Sequence, residues 1–198
     1  MMTRGREARN LVVETKDYVV TAIEGVGDVS VAIVDAVSSI LVRTLRGTRD
    51  ASTDALGVVV DTATGAVQGV AEVGGEVGDA ARFIMVGTLD GTSQVGKVGV
   101  ETIAACSAAL VKGTFELGGS LSRTARGAVE GAIECARDLG VSAEEAATAA
   151  ANGALHAAGE ISTPAMTQVR IAVMHTLSGA QAVLREPFRP GAEVPYSA

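Results

Sequence analysis

Few residues in this chain have types that could do chemistry. They are His156 and His175, Cys106 and Cys135, and an acidic position that recurs at Asp28, Glu72, Glu116 and Glu160. A structural zinc site takes Cys and His ligands in closely spaced pairs, and no Cys or His pair here has that spacing. Two isolated cysteines are also too few for a disulfide framework. His156 shares its position with Glu24, Gln68 and Lys112, a solvent-facing set, and His175 shares its position with Arg43, Gly87 and Gly131. Neither histidine therefore marks a repeated ligand. Four carboxylates could in principle gather cations, but a repeated acid beside an apolar stripe reads as the wet edge of a helix. The glycine-rich segments follow no strand and so form no phosphate loop. The residues predict no catalytic constellation and no metal site, and the chain is not expected to be an enzyme.

The elements that would position these residues are set by an internal repeat. The block Ile23-Glu24-Gly25-Val26-Gly27-Asp28-Val29 returns as Val67–Val73, Val111–Leu117 and Leu155–Ile161, always 44 residues on. A second block, Leu41–Gly47, returns at the same interval as Met85–Gly91, Val129–Cys135 and Val173–Gly179. Four units then cover 9–52, 53–96, 97–140 and 141–184, after a basic leader at 1–8 and before a tail at 185–198. Within the first unit, apolar or small residues fall at Val19, Ile23, Val26, Ser30, Ile33, Val37 and Ile40, in steps of four and three. That is a helical stripe. Shifted by one period it becomes Ala63, Val67, Val70, Gly74, Val77, Ala81 and Ile84. No period-two alternation lasts a whole segment, so the fold class is all-α.

The stripe supplies the candidate helix-contact or cavity face, namely Ile23, Val26, Ile33, Val37, Val67, Val70, Val77 and Ile84. A period of 44 is not a whole number of heptads, though it is four times 11. A heptad seam cannot run through it, and the helix must either break in each unit or follow an 11-residue pattern. Breaks are expected at Gly74-Gly75, Gly118-Gly119-Ser120 and Ser162-Thr163-Pro164, with a second set at Gly47, Gly91 and Gly179. Ser162-Thr163-Pro164 suits a helix start, and Ser142-Ala143-Glu144-Glu145 after Gly140 has the capping-box pattern. Helix-turn-helix units are thus favoured over one long rod. Glycines four apart, as in Gly65–Gly69 and Gly127–Gly131, let backbones approach.

Composition adds a packing problem. Hydrophobic residues are 47% of the chain but aromatics only 3%, with no Trp and 24 Gly. Ala and Val carry the apolar content, so helices must approach closely or pair with another chain, and a homo-oligomer is expected. The formal net charge of −7 argues against nucleic acid, which requires a basic face. Arg4, Arg6 and Arg9 make a local basic leader that reads as solvated. No secretory signal is expected, because Glu14, Lys16 and Asp17 interrupt the first apolar stretch. No apolar run reaches the roughly 18–20 residues of a membrane span, so the expected location is cytoplasmic, with peripheral membrane contact left open.

The tail holds three of the four prolines and two of the five aromatics. Pro187, Phe188, Pro190, Pro195 and Tyr196 would suit an extended arm with spaced anchors that docks onto a partner; a plain unstructured terminus reads the same composition equally well.

Through its size, Gly/Ala-rich segments such as Gly127-Ala128-Val129-Glu130-Gly131-Ala132-Ile133-Glu134, and proline-bearing tail, the chain resembles the scaffold subunit of high-affinity aerobic uptake [NiFe] hydrogenases. The resemblance implies an oligomeric scaffold peripheral to the inner membrane. It would hold the hydrogenase large and small subunits and form a hollow apolar stalk through which quinone reaches them. Menaquinone or lipid would then occupy an apolar cavity, with no covalently bound cofactor. No family functional residue transfers to this sequence. Two other readings stay open: a lipid-surface coat of the phasin or perilipin type, for which the 11-fold divisibility speaks, and a protein-binding helical solenoid, since the period lies in the HEAT and armadillo range.

Overall fold

A computed structural model describes residues 4–25, 27–47, 53–96 and 99–185, and every element among them is α-helical. Eight helices follow one another: α1 (Arg4–Gly25), α2 (Val29–Gly47), α3 (Thr53–Glu72), α4 (Val77–Ser93), α5 (Val100–Glu116), α6 (Leu121–Cys135), α7 (Ala143–Ile161) and α8 (Thr163–Arg185). Each helix packs against its sequence neighbours and against the helix two positions away, and none touches a helix further along. The odd-numbered helices therefore form one layer and the even-numbered helices a second. The architecture is a stack of helical hairpins, held by contacts between neighbours alone. α1 begins at Arg4, so the helix takes in part of the segment read as a leader.

The turns are built on glycine where the backbone requires it. Gly74, Gly96, Gly118 and Gly140 have φ between 66° and 73°, the left-handed region where a Cβ is costly. Three of these turns close helices with the same pair of hydrogen bonds. Gly74 N–H donates to the Ala71 carbonyl and Gly75 N–H to that of Val70. Gly118 and Gly119 do the same to Phe115 and Thr114, and Gly140 and Val141 to Arg137 and Ala136. These bonds satisfy carbonyls that a helix end leaves bare. The breaks expected at Gly74-Gly75 and Gly118-Gly119-Ser120 are thus turns. The next helices start on hydroxyls: Ser120, Ser142 and Ser162 accept from the backbone N–H of Arg123, Glu145 and Ala165 at 3.4, 3.0 and 3.2 Å.

Of the second expected set of breaks, Gly47 ends α2, but the other two need correction. Gly91 and Gly179 lie inside α4 and α8, and the turn after α4 comes at Gly96 instead. The four left-handed glycines stand 22 residues apart, so a single helix with its turn is the structural unit, half the sequence interval. Gly91 is instead a close-approach position, one turn after Gly87. A methyl added there would lie 2.9 Å from the Ser38 backbone.

That close approach is how an Ala/Val chain builds a core. Gly65, Gly87, Gly131 and Gly153 recur in steps of 22 or 44, and each sits on a carbonyl oxygen of the preceding helix in its layer: Val12, Val34, Arg82 and Ala104. Bare glycine lets backbones touch, so short side chains can still fill the space between helices. Two seams differ. α5 carries Ala109 at this position and α8 carries His175, and α3–α5 and α6–α8 are the less intimate contacts of the two layers.

Around these contacts lies one continuous core. Ile33, Val37, Val67, Val70, Val77 and Ile84 of the expected apolar face are buried in it, and Ile23 packs against it; Val26 lies outside the described residues. Its hydroxyls are mostly satisfied: Ser107 Oγ donates to the Ala150 carbonyl at 2.7 Å, and Thr114 and Thr124 share a hydrogen bond at 3.0 Å. Thr62 is an exception, fully buried with no partner for its Oγ1. An unmatched buried hydroxyl costs about 1–3 kcal/mol. Thr62→Val, which keeps the shape and removes the orphan, is therefore expected to raise stability by about 1 kcal/mol, measured by urea unfolding.

Candidate interaction surfaces

The residues with reactive types do not assemble. Cys106 is fully buried in α5 and Cys135 nearly so at the end of α6, and neither is in a disulfide. Burial pushes the Cys106 thiol up to about 12, opposed in part by the neighbouring Thr88 hydroxyl. Burial again raises Cys135 to about 11, with Glu134, Asp138 and Asp90 adding negative charge. A nucleophilic cysteine needs the reverse, a stabilised and accessible thiolate. Both thiols are expected to resist iodoacetamide at pH 8 in the native chain and to react promptly in guanidinium, with mass spectrometry reading zero and two adducts. Rapid native labelling of Cys106 would contradict the packing of α5.

His156 is exposed, with Nδ1 3.5 Å from Glu160 one turn on. His175 is exposed on α8. The acidic column is dispersed. Asp28 caps α2, accepting from the hydroxyl and N–H of Ser30 and from Val31 N–H at 2.8, 3.0 and 3.4 Å. These donors, led by the Ser30 hydroxyl, hold its carboxyl below the usual range. Glu72, Glu116 and Glu160 lie on the last turns of α3, α5 and α7. No group of three or more His, Cys, Asp or Glu among the described residues could hold a metal.

Instead, the acids stitch neighbouring helices together. Lys16 of α1 meets Glu72 of α3 at 2.6 Å, and Lys112 of α5 meets Glu160 of α7 at 2.6 Å. In the other layer Ser38 of α2 donates to Asp90 of α4 at 2.7 Å, and Arg82 of α4 pairs with Glu134 of α6 at 2.9 Å. Glu72 keeps the Lys16 ammonium charged to higher pH than usual, and the Lys112 ammonium, the main cause, holds Glu160 below the ordinary carboxylate range. Among the described residues no ion pair joins α3 to α5 or α6 to α8, and none joins α2 to α4, where the Ser38–Asp90 hydrogen bond stands instead.

Grooves lined by described residues lie on the stack. One of about 470 Å³ runs between α2 and α4 and is lined by Asp35, Ser38, Ser39, Val42, Arg43, Arg46, Asp90 and Gln94. Its charges are balanced, and Arg43 is engaged by Glu14 of α1. Another, of about 530 Å³, opens between the first halves of α5 and α7. Val100, Ala104 and Ala149 give it an apolar floor, and Glu101, Glu144 and Glu145 give it an acidic rim. No cation lines it, and among the described residues no ion pair engages those three acids.

Some large apolar side chains also stay outside the core: Phe115 and Leu117 at the α5–α6 turn, Val29 and Val31 at the start of α2, and Ile171 and Met174 on α8. Sequence reasoning missed these and the groove. The signal for α8 was present, because its 23 residues contain no acid. The expected docking residues Pro187, Phe188, Pro190, Pro195 and Tyr196 lie outside the described residues. No helix among the described residues is long and apolar enough to cross a membrane. No family model, curated protein or solved structure matches this chain.

Proposed function

We propose that the chain is a non-catalytic scaffold that binds other proteins along a two-layer helical stack. The observation that supports it best is the architecture itself: hairpins that touch only their neighbours make a long surface without a central site, a form suited to extended protein contacts. In the specific version suggested by the resemblance to hydrogenase scaffolds, the partners are the hydrogenase large and small subunits, and the complex sits at the membrane surface. The apolar faces around Val67, Val70 and Ile84 are occupied inside the chain, so on this reading a path for menaquinone or lipid runs between copies.

Affinity purification from the native cells after mild cross-linking tests the reading. Large and small hydrogenase subunits are expected in stoichiometric amounts; a chain that elutes without any stoichiometric protein partner sinks it. The solenoid is favoured over the lipid coat because its helices already bury their apolar faces on one another. A coat protein would gain helix on liposomes, whereas this chain is expected to give the same circular dichroism with and without them.

A further inference from the structure

α8 and the α5–α7 groove are complementary in both charge and polarity. In its own chain α8 buries Ala165, Val169 and Val173 against α6 and α7. Ile171 and Met174 remain 55% and 62% exposed, beside exposed Arg170 and His175. α8 has no Asp or Glu over its whole length, in a chain whose formal net charge is −7. The groove offers the opposite: an apolar floor of Val100, Ala104 and Ala149 under Glu101, Glu144 and Glu145, which form no ion pair among the described residues. A surface that is basic and apolar on one element and acidic and apolar on another suits association of unlike patches.

We propose that the exposed face of α8 docks into the α5–α7 groove of a second copy of the chain. Ile171 and Met174 lie on the groove floor, and Arg170 meets Glu144 or Glu145 at the rim. The two patches differ, so each copy offers one of each and the contact repeats head to tail, as a ring or an open chain. An anionic membrane is the competing occupant of a basic, apolar helix face, but the acidic surface of the remaining chain opposes approach to it. The proposal refines the oligomeric part of the scaffold reading and rests on it.

Sedimentation velocity of the full chain over a concentration series tests the contact. Association is expected, and it weakens as salt is raised, because rim charges are screened. Met174→Asp, a change at an exposed site, is expected to weaken association by on the order of tenfold or more with an unchanged melting curve. Arg170→Glu and Glu145→Arg are each expected to weaken it, and an equimolar mixture of the two is expected to associate again, since the reversed α8 fits the reversed groove. A chain that associates equally well with all three substitutions refutes this contact alone. One that is monomeric throughout refutes both the contact and the oligomeric scaffold, and monomers that float with anionic vesicles through Arg170 and Met174 assign α8 to the membrane instead.

Discussion

Gly153→Val is expected to destabilise the chain by about 3 kcal/mol or more, lowering the melting temperature by roughly 6–12 °C. Gly153 of α7 rests directly on the Ala104 backbone of α5, with the Ala104 carbonyl oxygen where a Cβ would stand. A clash with a flexible side-chain end can be relieved by rotation. Here the obstacle is the backbone of a helix that is fixed along its length, so α7 must move away from α5. That movement also pulls apart the Ser107 hydrogen bond to Ala150 and the Lys112–Glu160 pair, which join the same two helices. Gly57→Ala is the matched control. Nothing lies within 4 Å of a methyl added there, so it should stabilise α3 by about 0.5–1 kcal/mol through helix propensity alone. Thermal melts of the two variants with opposite signs would establish that the contact glycines hold the layers together. A Gly153→Val chain that melts like the parent would remove the basis for this account of the core.

Ile84→Ala carries the second large effect, a loss of about 3–5 kcal/mol in urea unfolding. Ile84 is fully buried in α4, which packs against both α2 and α6 in its layer. Truncation of a buried Ile removes transfer energy and leaves a cavity, and the total depends on how far the surroundings collapse. Across the core as a whole most side chains are Ala and Val on closely spaced backbones, too short to swing into a space of that size. The loss should therefore fall in the upper part of the usual range, whereas Ile84→Val should lose only about 0.5–1.5 kcal/mol. Stability in a stack of this kind passes from neighbour to neighbour. Hydrogen exchange in Ile84→Ala is accordingly expected to speed up in α2, α4 and α6 before it does so in α7. Uniform acceleration would mean that the whole stack opens as one unit.

Together these expectations describe a core held by approach distance rather than by bulk. The same principle accounts for its weak places. α3–α5 and α6–α8 have Ala109 and His175 where the other seams set a glycine on a backbone carbonyl, although Gly113 of α5 still meets the Val67 side chain. Among the described residues these two seams also lack an ion pair such as those that join α1 to α3, α4 to α6 and α5 to α7. His175 is itself exposed, and Ile171 and Met174 beside it on α8 remain in solvent.

The all-α class, the turns at Gly74-Gly75 and Gly118-Gly119-Ser120, the helix starts at Ser142 and Ser162 and the buried stripe through Ile33, Val37, Val67 and Ile84 were determined by the sequence alone. Each depends on local physics: the period of apolar side chains, the φ that glycine permits, and a hydroxyl within reach of three bare amides. What only the tertiary structure decided was which glycines turn the chain and which join two helices. Gly91 and Gly96 are the same residue type five positions apart. One lies against the Ser38 backbone in a neighbouring helix and the other bends the chain at a φ of 66°. The identity of a glycine is silent on this, because its missing Cβ serves both purposes. The α5–α7 groove and the bare face of α8 were hidden for a related reason. They arise from how far apart two helices come to rest, and that separation is set by residues in a partner helix about 50 positions away in the chain, as Ala104 is from Gly153.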